Sequence, residues 1–84
     1  MNSRQRATLE ALYAVPTPCN LEWARIESLL LSLGARLIEG NGSRVRFDLN
    51  GVIASFHRPH PAKEAKPYQV RDARAFIERA GYAP

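Results

Sequence analysis

The sequence predicts an α+β fold: a three-stranded antiparallel sheet with two helices on one face, in the order α-β-β-β-α, plus an extra helix at the amino terminus. Three observations predict it. Residues 21–34 carry an apolar stripe of helical period, residues 44–49 alternate strictly before an Asn-Gly pair and a returning strand, and residues 68–82 return to helical spacing. The chain has 84 residues, enough for one modest core, which argues against a deep enclosed active site.

The first helical segment, "NSRQRATLEALYA", opens with Ser3 as its expected cap and spaces Leu9, Leu12 and Tyr13 for one face. "VPTPCN" ends it, because Pro16 and Pro18 lack amide donors and restrict the residues before them. The second helix is expected from an Asn20 cap. It lines up Trp23, Ile26, Leu29, Leu30 and Leu33, with Gly34 in the left-handed position that closes it. Trp23 reads as a packing residue rather than a base-stacking one. "ARLIEG" is a short strand whose facing the pattern leaves open, and "GNGS" is a loop.

"RVRFDL" and "VIASFH" flank Asn50-Gly51, the preferred pair for a two-residue hairpin turn. Such a turn fixes the register, so Leu49 meets Val52, Phe47 meets Ala54, Val45 meets Phe56 and Arg44 meets His57. Directly opposed side chains share a face. Val45, Phe47, Leu49, Val52, Ala54 and Phe56 therefore form an apolar face for the helices. Arg44, Arg46, Asp48, Ile53, Ser55 and His57 form the open face, where the basic residues gather. "RPHPAKEAKP" follows as a stiff, proline-punctuated loop. The last helix turns Val70, Ala73, Phe76, Ile77 and Ala80 inward and stops at Gly81.

The net charge is +4, and residues 43–66 hold most of the excess, with five basic residues against two acidic. A clustered basic surface suits a polyanion such as nucleic acid, or an acidic protein partner; the alternative is a solvated surface that keeps the chain soluble. No apolar run approaches the roughly 20 residues of a membrane span, and no apolar stretch follows Arg4 and Arg6 as a secretory signal requires. The expected location is cytoplasmic. One Cys and two His fall short of a zinc site, so no metal or other cofactor is expected, and Cys19 is expected to be small, partly buried and without chemistry.

The element order resembles the double-stranded-RNA-binding fold. "EGNGSRVRF", then "FHRPHPAKEAKP", then a closing helix ending "ERAGY", resembles the HicA toxin family of bacterial type II toxin–antitoxin systems over about residues 21–82. Gly42 and Ser43 match the family's Gly-Ser-His motif, Pro59, His60 and Pro61 match its second element, and Lys63, Glu64, Lys66 and Pro67 match the approach to the last helix. The resemblance implies a dsRBD-like domain over residues 20–84 with residues 1–19 as an added helical extension. It also implies an mRNA-cleaving activity and a HicB-like antitoxin partner. One position departs from the pattern: Arg44 stands where the family places its catalytic histidine. An arginine is a poor general base but binds phosphate with two prongs and stabilises charge in a phosphoryl transition state.

Metal-independent RNA cleavage needs a base for the 2′-hydroxyl, an acid for the departing 5′-oxygen and donors for the phosphorane. Histidine suits the first two because imidazole exchanges protons near neutral pH. His57, beside Arg44, is the first candidate; otherwise it is an exposed strand-end residue without a role. His60 matches a family position, and its competing role is to order the proline loop. Arg44, Arg46, Arg58, Lys63 and Lys66 are the candidate RNA contacts, while Asp48 is expected to pair with an arginine. Three functions stay open: a HicA-like endoribonuclease, a non-catalytic RNA-binding module of the same fold, and a protein-interaction domain with a basic face.

Overall fold

The computed structural model describes residues 1–39 and 42–82. Its elements run α1 (Ser3–Leu12), α2 (Trp23–Ser32), β1 (Arg36–Glu39), β2 (Arg44–Leu49), β3 (Val52–His57) and α3 (Pro67–Arg79). The strands form one antiparallel sheet in the order β1-β2-β3. This is the α+β architecture that the sequence patterns predict. Of the expected "GNGS" loop, Gly40 and Asn41 lie outside the described residues.

The hairpin register is the one that the turn dictates, with Arg44 opposite His57, Arg46 opposite Ser55, Phe47 opposite Ala54 and Leu49 opposite Val52. Asn50 at φ 53° and Gly51 at φ 85° supply the two left-handed residues of the turn. The Asn50 side chain donates to the Ala80 carbonyl at 2.8 Å, so the turn also satisfies a terminal carbonyl of α3.

The inner face of the sheet meets both helices at Phe56. Its ring lies 5.1 Å from that of Trp23 on α2 and 6.2 Å from that of Phe76 on α3. Ile26, Leu29, Leu30, Val45, Phe47, Val70, Phe76 and Ile77 are all buried around this contact. Trp23 is thus a core residue, as its place on the α2 stripe requires. Both sheet-covering helices close with the same motif. Ala35 N–H donates to Leu30 O and Gly34 N–H to Leu31 O after α2; Tyr82 N–H donates to Ile77 O and Gly81 N–H to Glu78 O after α3. Pairing of β1 with β2 settles its facing: Leu37 lies opposite Phe47 toward the helices, and Ile38 opposite Arg46 on the open side.

Three local expectations are corrected. Asn2, not Ser3, caps α1, in a reciprocal box with Gln5 in which each side chain accepts from the other's backbone N–H (2.8 and 2.9 Å). The Asn20 cap is not used, because Glu22 is extended and bridges antiparallel to Glu64, which ties the chain just before α2 to residues 63–65. Trp23 N–H donates to Lys63 O at 2.9 Å and Ala65 N–H to Leu21 O at 2.7 Å, so α2 starts two residues later than expected. Cys19 is exposed rather than partly buried, since it sits in the proline linker outside the packed elements. Among the described residues, no helix is long and apolar enough to cross a membrane.

Candidate active site

Phe56 anchors the end of β3 in the core, and strand alternation then forces His57 to the opposite side. The β2 partner Arg44 is brought over it by the ladder. The Arg44 Nη2 atom lies 3.4 Å from His57 Nε2, and both residues are exposed. The sequence-derived pair is therefore present as a side-chain contact, not only as a backbone register.

The two residues stand at one end of a shallow cleft of about 250 Å³ between the edge strand β3 and the first turns of α3. Ser55 lines its strand side; Tyr68, Gln69 and Asp72 line its helix side. Gln69 explains why these walls hold their relative position. It is only 3% exposed, its Nε2 donates to the His57 carbonyl at 2.7 Å, and its Oε1 accepts from Lys66 N–H at 2.9 Å. A single buried amide thus ties the backbone of His57 to the start of α3, with both of its polar atoms satisfied.

Charge is graded along the open face. Near the hairpin turn, Asp48 pairs with Arg36 at 3.2 Å and also accepts from Gly51 N–H at 3.0 Å, so the acid is occupied. Arg46 is exposed and makes no ion pair among the described residues. Toward the cleft, Arg44 likewise makes no ion pair among the described residues, and Asp72 on α3 is the acid that lines it.

The remaining candidates are dispersed. Arg58 turns away from the open face to Glu27 on α2, with Nε 2.7 Å from Oε2 and Nη2 3.2 Å from Oε1. The same carboxylate accepts from the Trp23 indole N–H. Glu27 thereby clamps the start of the proline loop to α2. His60 is exposed and lines a second concavity with Trp23, Arg58, Pro59, Pro61 and Lys63, separate from the cleft of His57. The peptide bond between His60 and Pro61 is cis. Lys63 is held at its backbone by Trp23, and Lys66 precedes the first turn of α3.

Tyr68, Gln69 and Asp72 carry no motif, and the sequence patterns leave them unassigned. One signal was available: Tyr68 and Asp72 are four residues apart, so they fall on one face of the closing helix, beside its apolar stripe. What that face meets depends on where α3 docks, which the stripe alone does not give.

The family model described as HicA toxin of bacterial toxin-antitoxin matches residues 23–82. No curated protein and no solved structure matches the chain. The match begins at the first residue of α2 and runs past the Gly81 stop of α3, so it takes in the whole sheet, both helices that cover it and the cleft. With 60 of its 84 residues, from 23 to 82, inside that match, the chain belongs to the HicA toxin family of bacterial toxin–antitoxin systems.

Proposed function

We propose that the protein is a metal-independent endoribonuclease that cleaves mRNA and is held in check by a HicB-like antitoxin. The observation that carries the reading is the contact of Arg44 with His57 on an exposed basic face, in a chain of a toxin family. In this scheme the RNA phosphate takes the Arg44 guanidinium, which binds it with two prongs, and His57 Nε2 is left to accept the 2′-hydroxyl proton. The 2′-oxygen attacks phosphorus, the bond to the 5′-oxygen breaks, and that oxygen leaves with a proton drawn from water. The products are a 2′,3′-cyclic phosphate and a 5′-hydroxyl. His60 belongs to the loop in this scheme, since it lines another concavity.

Incubating the purified chain with single-stranded RNA in the presence of a chelator tests the reading. Cleavage with cyclic-phosphate ends, abolished by His57→Ala and suppressed by the antitoxin, is the expected result; intact RNA overturns it. Arg44 in the place of the family histidine favours a second reading, a domain that binds RNA without cutting it. Salt-dependent binding with no cleavage would select that one.

A further inference from the structure

We infer that the helix side of the cleft reads a base: Tyr68 is the stacking platform for an unpaired nucleobase next to the scissile phosphate, and Asp72 selects guanine at that position. The inference rests on the RNA-directed reading of the cleft and deepens it.

Tyr68 is 51% exposed, although it stands on a helix whose other aromatic, Phe76, is fully buried. It adds nothing to the core and makes no hydrogen bond or ring contact among the described residues. An exposed ring in a cleft shared with an arginine and a histidine has the chemistry of a base platform. Nucleobases splayed from a single strand stack on aromatic side chains, and in a duplex that face is already occupied by its neighbours. The substrate implied is therefore single-stranded at the site.

Asp72 lies one helical turn further along the same face and lines the same cleft. It has no ion-pair partner among the described residues, including Arg44. A carboxylate in a site for a polyanion weakens phosphate binding through like-charge repulsion, so its place is better explained by the other half of a nucleotide. An ionised carboxylate only accepts hydrogen bonds, through two oxygens side by side. Guanine is the base whose Watson–Crick edge offers two adjacent donors, N1–H and N2–H. Uracil places its single imino donor between two carbonyl oxygens, which a carboxylate repels. The cleft then divides its work: Arg44 and His57 face the phosphate, and Tyr68 and Asp72 face the base.

The test measures binding of short 2′-O-methyl oligonucleotides, which cannot be cleaved, so its outcome does not depend on whether the chain is a nuclease. Homopolymeric uracil strands with one central guanine are compared with the all-uracil strand by fluorescence anisotropy. The guanine strand is expected to bind about 10-fold more tightly. Tyr68→Ala weakens both strands about 10-fold and Tyr68→Phe restores binding, because the ring and not the hydroxyl stacks. Asp72→Asn brings the two strands to within about 2-fold of each other, whatever it does to overall affinity. Unchanged binding by Tyr68→Ala, or a guanine preference that survives Asp72→Asn, overturns the inference. So does loss of antitoxin binding alone in Tyr68→Ala, which would mark the ring as a protein contact. Wild-type binding without cleavage of ordinary RNA would remove the nuclease reading and leave this one standing.

Discussion

Arg44 and His57 are directly opposed across the β2–β3 ladder, and their side chains meet 3.4 Å apart on the face that the helices leave open. Neither is held by the core, so changing either should alter chemistry and leave the fold nearly untouched. His57→Ala is expected to lower RNA cleavage about 10²–10⁴-fold, the usual effect of losing a general base. Its unfolding free energy should change by no more than about 0.5 kcal/mol. Arg44→Lys keeps the charge but loses the fork, and should cleave more slowly than wild type. Arg44→His restores the family residue and should cleave at least as fast. A single-turnover assay of the set checks the assignment; full activity in His57→Ala with loss in His60→Ala would transfer the chemistry to the loop histidine.

The Gln69 amide makes the opposite prediction, a large effect on stability. It is buried and bridges the His57 carbonyl and the Lys66 N–H. Gln69→Leu fills the space but removes both hydrogen bonds, at about 0.5–1.5 kcal/mol for each. Urea denaturation should show this loss. Amide exchange at Lys66, whose N–H Gln69 caps, should also quicken.

Among the basic residues, placement separates two classes. Arg46 makes no ion pair among the described residues and stands exposed on the open face, whereas Arg58 is committed to Glu27 on the helix side. If RNA lies along the open face, Arg46→Ala should reduce the slope of log affinity against log salt by about 0.7, one phosphate's share for a single strand. Arg58→Ala should leave that slope unchanged and lower stability, because Glu27 and the proline loop lose their shared anchor. Anisotropy titrations at four salt concentrations distinguish the two.

The hairpin was the most legible part of the fold because Asn50-Gly51 fixes register by counting, and register alone delivers the Arg44–His57 contact. The helix starts were less legible. Asn20 has the chemistry of a cap, but residues 21–23 are drawn into pairing with residues 63–65, a non-local demand that no local pattern encodes. Arg58 shows the same limit: its residue type suggests a phosphate contact, while its partner lies 31 positions away on α2. Tyr68 and Asp72 were silent because the value of their helix face depends on docking. Residue chemistry could be read directly, and long-range pairing could not.

The Tyr13 hydroxyl gives the amino-terminal helix a pH signature. It donates to Glu78 Oε2 at 3.2 Å, joining the end of α1 to α3, and its ring lies 6.0 Å from the Arg74 guanidinium. Burial, with the hydrogen bond to the Glu78 carboxylate adding to it, holds the phenol above its ordinary pKa of 10.0. A group whose folded pKa is raised binds its proton more tightly when folded. Its stabilisation is complete below the unfolded value and is lost as pH rises through the folded one. Stability should therefore fall more steeply above pH 10 in wild type than in Tyr13→Phe, as measured by urea midpoints across that range.

Helix α1 lies outside the residues that match the family, yet it is packed as part of the core. Leu12 is 1% exposed and Thr8 equally buried, and the Gln5 amide donates to Ser28 Oγ at 3.0 Å on α2. An appendage of no structural consequence would keep its apolar face in water. Leu12→Ala opens a cavity in a well-packed site, which costs about 2–5 kcal/mol. That is a large share of what a domain of this size has to spare, typically about 5–15 kcal/mol in total. A chain shortened to residues 20–84 should lose at least as much, because α2 and α3 would both face water where α1 now covers them. Thermal unfolding of the two variants beside wild type provides the measurement. If the shortened chain melts at the wild-type temperature, α1 is an independent extension and the domain begins at residue 20. If both variants melt well below it, the folding unit of this chain is longer than the unit its family shares.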